Sequence, residues 1–263
     1  MKKILIFSLV GIVLTIGLVG SVGAAGKNQK KNQKIDLLEN ATQVAPGVFY
    51  LGESMNKGKV VDGYAFVHYA KGSKSAARPK PVVDDKVDMY KLLFRGIKWA
   101  NTMQYEVNPD DSGLGDDAVM TTLGASLDTW DTAITGDFEL FGAIGTSDKT
   151  SVGYDNTNLV MWDNLGSDGI IAMNSFWFYR TTKEIVESDV VFNMQYNWSL
   201  SGESEKMDLQ NIATHEFGHN GLADLYVSKS AELTMYGYSG YGETKKQTLG
   251  TGDISGIQVL YGE

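Results

Sequence analysis

His215 and His219 stand four residues apart, and Glu216 follows the first of them. On an α-helix that spacing puts both imidazoles on one face, where they can reach a single zinc ion, the arrangement of an H-E-x-x-H site. Glu216 then points toward the open side of the ion and is placed to take a proton from a water there. The chemistry implied is metal-assisted hydrolysis. Ordinary surface histidines are the competing reading, and the neighbouring residues argue against it. Leu209, Ile212, Ala213 and Phe217 form an apolar stripe that continues through both histidines, with Asp208 in position to cap the first turn.

From Trp99 to Glu263 several separate stretches, in order, resemble the matrixin-like branch of the metzincin zinc endopeptidases. Trp99 with Met103-Gln104-Tyr105-Glu106-Val107-Asn108-Pro109 is similar to that family's opening strand, and Leu127-Asp128-Thr129-Trp130 to its first helix. Residues 185–193 resemble the strand before the active-site helix, Leu233-Thr234-Met235-Tyr236-Gly237 the Met-turn, and residues 253–262 the terminal helix. The resemblance implies an α+β fold: a metzincin-like domain with a mixed twisted sheet, an active-site helix and a Met-turn. It implies Zn as cofactor and a polypeptide as substrate. It makes Met235 an apolar floor beneath the metal and residues 237–250 the wall of the pocket beyond the cleaved bond. Residues 169–174 fall where the family has an antiparallel edge strand, whose unpaired backbone groups can take an extended peptide as an added strand. Ile171, Ala172, Met173 and, beyond the Met-turn, Tyr238 are therefore the expected substrate-binding residues. A protected edge is the duller alternative.

One stretch departs from the family's pattern, which places a glycine and then a third ligand, His or Asp, after the second histidine. Here the text is Asn220-Gly221-Leu222-Ala223-Asp224-Leu225, with glycine and acid each one position early. Read without a gap, Leu222 and Leu225 fill those slots, and leucine cannot bind zinc. A one-residue deletion after His219 makes Gly221 the helix-ending residue, free to take positive φ, and Asp224 the third ligand. Two imidazoles and one carboxylate leave a fourth position for water. The deletion rotates the helix end by about 100° and shortens it by about 1.5 Å, which the following turn must absorb. Two alternatives stay open: Asp224 as a turn residue beside a weak two-histidine site, and an inactive zincin-fold module that only binds a peptide or surface partner. His68 lies outside the resemblance and is a poor substitute ligand. Tyr236 or Tyr238 could approach the metal.

Lys2-Lys3, an apolar run from Ile4, and small residues up to Ala25 have the three regions of a secretory signal, with an uncleaved membrane anchor as the alternative. Secretion is the expected localisation. There is no Cys, hence no disulfide and no cysteine thiolate to keep a precursor's zinc closed. The first 34 residues hold six Lys and no acid, leaving 17 basic against 32 acidic residues, which argues against nucleic acid as a partner. Asp84-Asp85, Asp110-Asp111 and Asp116-Asp117 are candidate calcium ligands, or simply solvated loop charge. The organisation expected is 1–25 signal or anchor, 26–92 a pro-segment or attached β-rich extension, and 93–263 the catalytic domain, and the chain is expected to be a monomer. Residues 48–51 and 60–69, joined by Asn56-Lys57-Gly58, read as a β-hairpin. Residues 27–34 and 72–81 read as linkers. In the catalytic part the pattern predicts strands at 103–108, 138–144, 169–173 and 185–193, and helices at 116–132 and 208–220.

Overall fold

The computed structural model describes residues 36–74 and 89–262. The signal or anchor segment, the 27–34 linker, most of the 72–81 linker and Asp84-Asp85 lie outside the described residues. Among the described residues no helix is long and apolar enough to cross a membrane.

Nine strands form one mixed sheet. The amino-terminal part supplies β1 (Thr42–Ala45), β2 (Val48–Asn56) and β3 (Lys59–Ala70). Then come β4 (Glu106–Val107), β5 (Gly145–Thr146), β6 (Leu159–Asp163), β7 (Ile170–Tyr179) and β8 (Ile185–Asn193). The spatial order is β1-β2-β3-β7-β8-β6-β4-β5. β11 (Tyr238–Ser239) joins the far end of β3. A separate two-residue parallel pair, β9 (Trp198–Ser199) with β10 (Met207–Asp208), leads into the active-site helix. The α+β class expected from the resemblance is the one observed.

Three helices matter for the site: α1 (Asp116–Asp131), α2 (Leu209–Gly218) and α3 (Thr251–Tyr261). The main core lies between the sheet and α1 and α2, joining Leu123, Trp130, Trp162, Phe192, Ile212 and Phe217. A smaller apolar cluster, with Val67, Tyr69, Met161, Met173 and Tyr238, covers the opposite face. Strands with both faces buried lose the polar-apolar alternation that betrays a strand. That is why β6, Leu-Val-Met-Trp-Asp and wholly buried, is invisible in a sequence that otherwise looks like a long loop. β7 runs six residues beyond its expected end for the same reason, its aromatic second half being buried throughout. The strand expected at 138–144 does not form; Phe141 makes only an isolated bridge to Met103. Its backbone is committed elsewhere, since the Asp131 carboxylate accepts from the amide of Leu140 at 2.8 Å.

The hairpin at 48–69 forms and is longer than expected. β3 lies antiparallel on β7 from Val61 opposite Tyr179 to Tyr69 opposite Ile170. The extension is therefore continuous with the sheet of the rest of the chain.

α2 is anchored at its start and at its middle. Asp208 caps it, accepting from Asn211 N at 2.9 Å, and holds Gln247 Nε2 at 2.8 Å and Gly202 N at 2.9 Å. Trp130 of α1 donates its indole N–H to the Thr214 carbonyl at 2.7 Å. Replacing Asp208 by Ala leaves these three donors without their acceptor and should destabilise the fold by about 1–2 kcal/mol or more. A denaturant midpoint for Asp208→Ala equal to that of the parent would contradict this.

Candidate metal centre

α2 ends at Gly218, two residues sooner than the sequence suggests, and His219 is already in a turn with φ −67° and ψ 1°. This is how the chain absorbs the missing residue. Asn220 fixes the exit: its Nδ2 donates to the Phe217 carbonyl at 2.9 Å and to Tyr105 Oη at 3.0 Å. Its Oδ1 accepts from Trp99 Nε1 at 2.7 Å, and its carbonyl accepts from Tyr261 at 2.7 Å. Leu93 N donates to the Gly221 carbonyl, and Ala223 N to the Lys91 carbonyl. Gly221 corrects the sequence reading: it neither ends the helix nor takes positive φ. Glycine is needed there because a Cβ would come within 2.4 Å of Leu260 Cδ1 on α3.

The turn returns Asp224 to the two histidines. Asp224 Oδ1 lies 3.1 Å from His215 Nε2 and 3.6 Å from His219 Nε2. The three are buried and form one of the two groups among the described residues that could hold a metal ion. His215 Nδ1 donates to the Thr234 carbonyl at 2.7 Å and His219 Nδ1 to the Leu222 carbonyl at 2.9 Å. Each bond leaves an Nε2 lone pair facing Asp224. Tyr226 donates to the other Asp224 oxygen, Oδ2, at 2.7 Å. His215 Nε2 and Asp224 Oδ1 are thus buried acceptors with no hydrogen bond, and two acceptors so close repel unless a cation lies between them. The donor set fits zinc.

Protonation states agree with that fit. Burial, with the nearby Lys246 charge, holds His215 down to about 3, and burial also lowers His219. For Asp224 burial acts upward but is outweighed by the two histidines and the Tyr226 hydroxyl, which bring it down to about 2. Neutral imidazoles beside an ionised carboxylate are what a divalent cation requires.

The Met-turn lies beneath. The Asp253 carboxylate of α3 accepts from Thr234 N at 2.8 Å and Met235 N at 3.0 Å. Met235 is buried under the helix, where a Cβ on Gly218 would come within 2.3 Å of its sulfur. Gly237 is small for a related reason: a Cβ there would meet the Tyr226 ring at 2.3 Å.

The matrixin family model matches residues 98–262. The chain belongs to the matrixin family. No curated protein matches it. In this matrixin the sequence motif's His215, Glu216, His219 and Asp224 come together, and Met235 lies below them. Tyr236 and Tyr238 belong to the apolar cluster on the opposite face of the sheet; the tyrosine bonded to the group is Tyr226, whose signal in the sequence was only its place two residues after Asp224.

One residue set aside in the sequence and one that it gave no sign of also reach the centre. His68 of β3 is not remote: its Nδ1 lies 2.9 Å from Glu216 Oε1 and its ring 3.9 Å from that of His215. Lys246, fully buried, donates to the Tyr236 carbonyl and lies 3.4 Å from His68 Nε2. Burial lowers it to about 7. Burial, then the Asp224 charge, raises Glu216 well above the carboxylate range. The edge expected to receive substrate is also taken. Ala172 and Met173 are opposite His68 and Val67 of β3, and Tyr238 is opposite Tyr69. Asp110-Asp111 and Asp116-Asp117 join neither metal-binding group.

Tyr226→Phe removes the bond that orients Asp224. Zinc affinity, measured by competition with a chromogenic chelator, should fall about 10- to 100-fold. Unchanged affinity would mean that Asp224 does not hold the metal through Oδ1.

Proposed function

We propose that this matrixin is a secreted zinc endopeptidase. The observation that carries the reading is the convergence of His215 Nε2, His219 Nε2 and Asp224 Oδ1 on one point, with Glu216 beside it. These three residues hold the zinc, and Glu216 is the general base and then the general acid. When bound, zinc brings the pKa of a water to near 7 and polarises the scissile carbonyl. Glu216 receives the water's proton on its carboxylate and returns it to the leaving amine. The Thr234 and Leu222 carbonyls keep the histidines in the binding tautomer, and Tyr226 keeps Asp224 turned inward. The substrate would take the place of β3 as an added strand along β7 at Ile171, Ala172 and Met173, with Tyr238 and residues 237–250 shaping the pocket beyond the cleaved bond. The charged, apolar and small-residue regions of residues 1–25 support export.

A zincin-fold binding module is the second reading, favoured by the coverage of the β7 edge. Metal content separates the two: the enzyme purifies with about one zinc per chain, the module with none. Glu216→Ala should retain that zinc and lose about 10²- to 10⁴-fold in hydrolysis of unfolded casein. The assay is made on the full chain before and after limited trypsin treatment. Undiminished hydrolysis by Glu216→Ala in the trypsin-treated sample would overturn the mechanism.

A further inference from the structure

β3 is gripped on both sides over the candidate centre. On one side it pairs antiparallel with β7 through Phe66–Asn174, Val67–Met173 and His68–Ala172. On the other, Tyr69 and Ala70 pair parallel with Tyr238 and Ser239, and Lys71 N donates to the Ser239 carbonyl at 2.8 Å. The backbone groups with which an added peptide strand would pair are therefore satisfied by the chain itself.

Alternate side chains of β3 face the centre. The Phe66 ring lies 5.0 Å from that of His219, and His68 lies against His215 and Glu216. Val67 and Tyr69 face the other way, into the cluster with Met173 and Tyr238. His215, Glu216, His219 and Asp224 are all buried, none exposing more than 4% of its surface. His68 has a defined role in this cover. It bridges two buried groups, with Nδ1 2.9 Å from Glu216 Oε1 and Nε2 3.4 Å from Lys246 Nζ. His68 groups with His215 and Glu216, apart from the His215, His219 and Asp224 set. It is placed to occupy the base, not to complete the metal's ligands.

We propose that residues 59–70 are an intramolecular inhibitor that lies along the substrate's path, with His68 engaging Glu216, so that the intact chain is latent until β3 leaves β7. The proposal rests on the peptidase reading above and adds its regulation. β3 uses the same backbone edge and the same carboxylate that catalysis requires, so closed and active states exclude each other. A substrate competes with a tethered strand present at high effective concentration.

Gly63 offers a way to separate the strands without touching the centre. It pairs with Trp177 of β7, and a Cβ there would lie 2.4 Å from the indole nitrogen. Gly63→Leu should wedge β3 off β7. His68→Ala removes the engagement of Glu216 and leaves the ladder. The zinc-loaded full chain, verified intact by mass, is compared with both variants. Three quantities are read: hydrogen exchange of residues 170–179, binding of a leucine-based peptidyl hydroxamate, and hydrolysis of a quenched peptide.

The parent should show protected β7 amides and negligible hydroxamate binding. Gly63→Leu should lose that protection and bind the hydroxamate at least about 100-fold more tightly, since a cleft that is rarely open costs affinity in proportion. His68→Ala should gain about 10-fold, the worth of one hydrogen bond, and it gives the same comparison if the wedge variant fails to fold and hold zinc. Equal hydroxamate affinity in the parent and the folded variants overturns the proposal. So does hydrolysis by intact parent at the variants' rate. A gain in hydroxamate binding without hydrolysis upholds the cover and instead removes the peptidase reading.

Discussion

The Thr234 and Leu222 carbonyls each accept the Nδ1 proton of a histidine, His215 and His219 respectively, and the centre follows from the ring nitrogens this leaves bare. Two Nε2 lone pairs then face a carboxylate oxygen that Tyr226 leaves free. In a buried site three such acceptors oppose one another, and the arrangement is favourable only around a cation. The surrounding structure keeps these acceptors in place: Asp253 pins the strand of carbonyls at the Met-turn, Asn220 pins the helix exit, and Asp208 and Trp130 pin the helix itself.

The motif on α2 and its cap were legible because a helix has a period and a cap has a residue type. Asp224 was legible only by chemical sense, since the chain is one residue short of the family's pattern. The structure gives the physical reason that this works. The helix stops at Gly218, the turn begins at His219, and residues 91–93 brace the segment that follows. Gly221 shows the limit of such reasoning. A glycine after a helix suggests positive φ, whereas this one is small because Leu260 packs on it, a contact made across 39 positions that no local pattern contains. Tyr226 and Lys246 were hidden for the same reason.

The greatest distance between sequence and structure concerns β3. A hairpin at 48–69 could be read from its turn and its apolar runs, but nothing local says which edge it will join. β7 is buried on both faces and needs a neighbour, and β3 is the strand that provides it. His68, set aside in the sequence as a poor substitute ligand in the extension, thereby comes within hydrogen-bond reach of the proposed base. Sheet edges pair with whatever strand is near and in register, so the same property suits β7 to a peptide substrate and to the chain's own amino-terminal strand.

The central claim is that His215, His219 and Asp224 close on one divalent ion. Anomalous diffraction at the zinc edge, on crystals of the full chain grown with zinc, tests it most directly. The account predicts a single strong peak about 2.0–2.2 Å from His215 Nε2, His219 Nε2 and Asp224 Oδ1, with Tyr226 still bonded to Oδ2. A peak away from this group, or none with Asp224 turned outward, would contradict it.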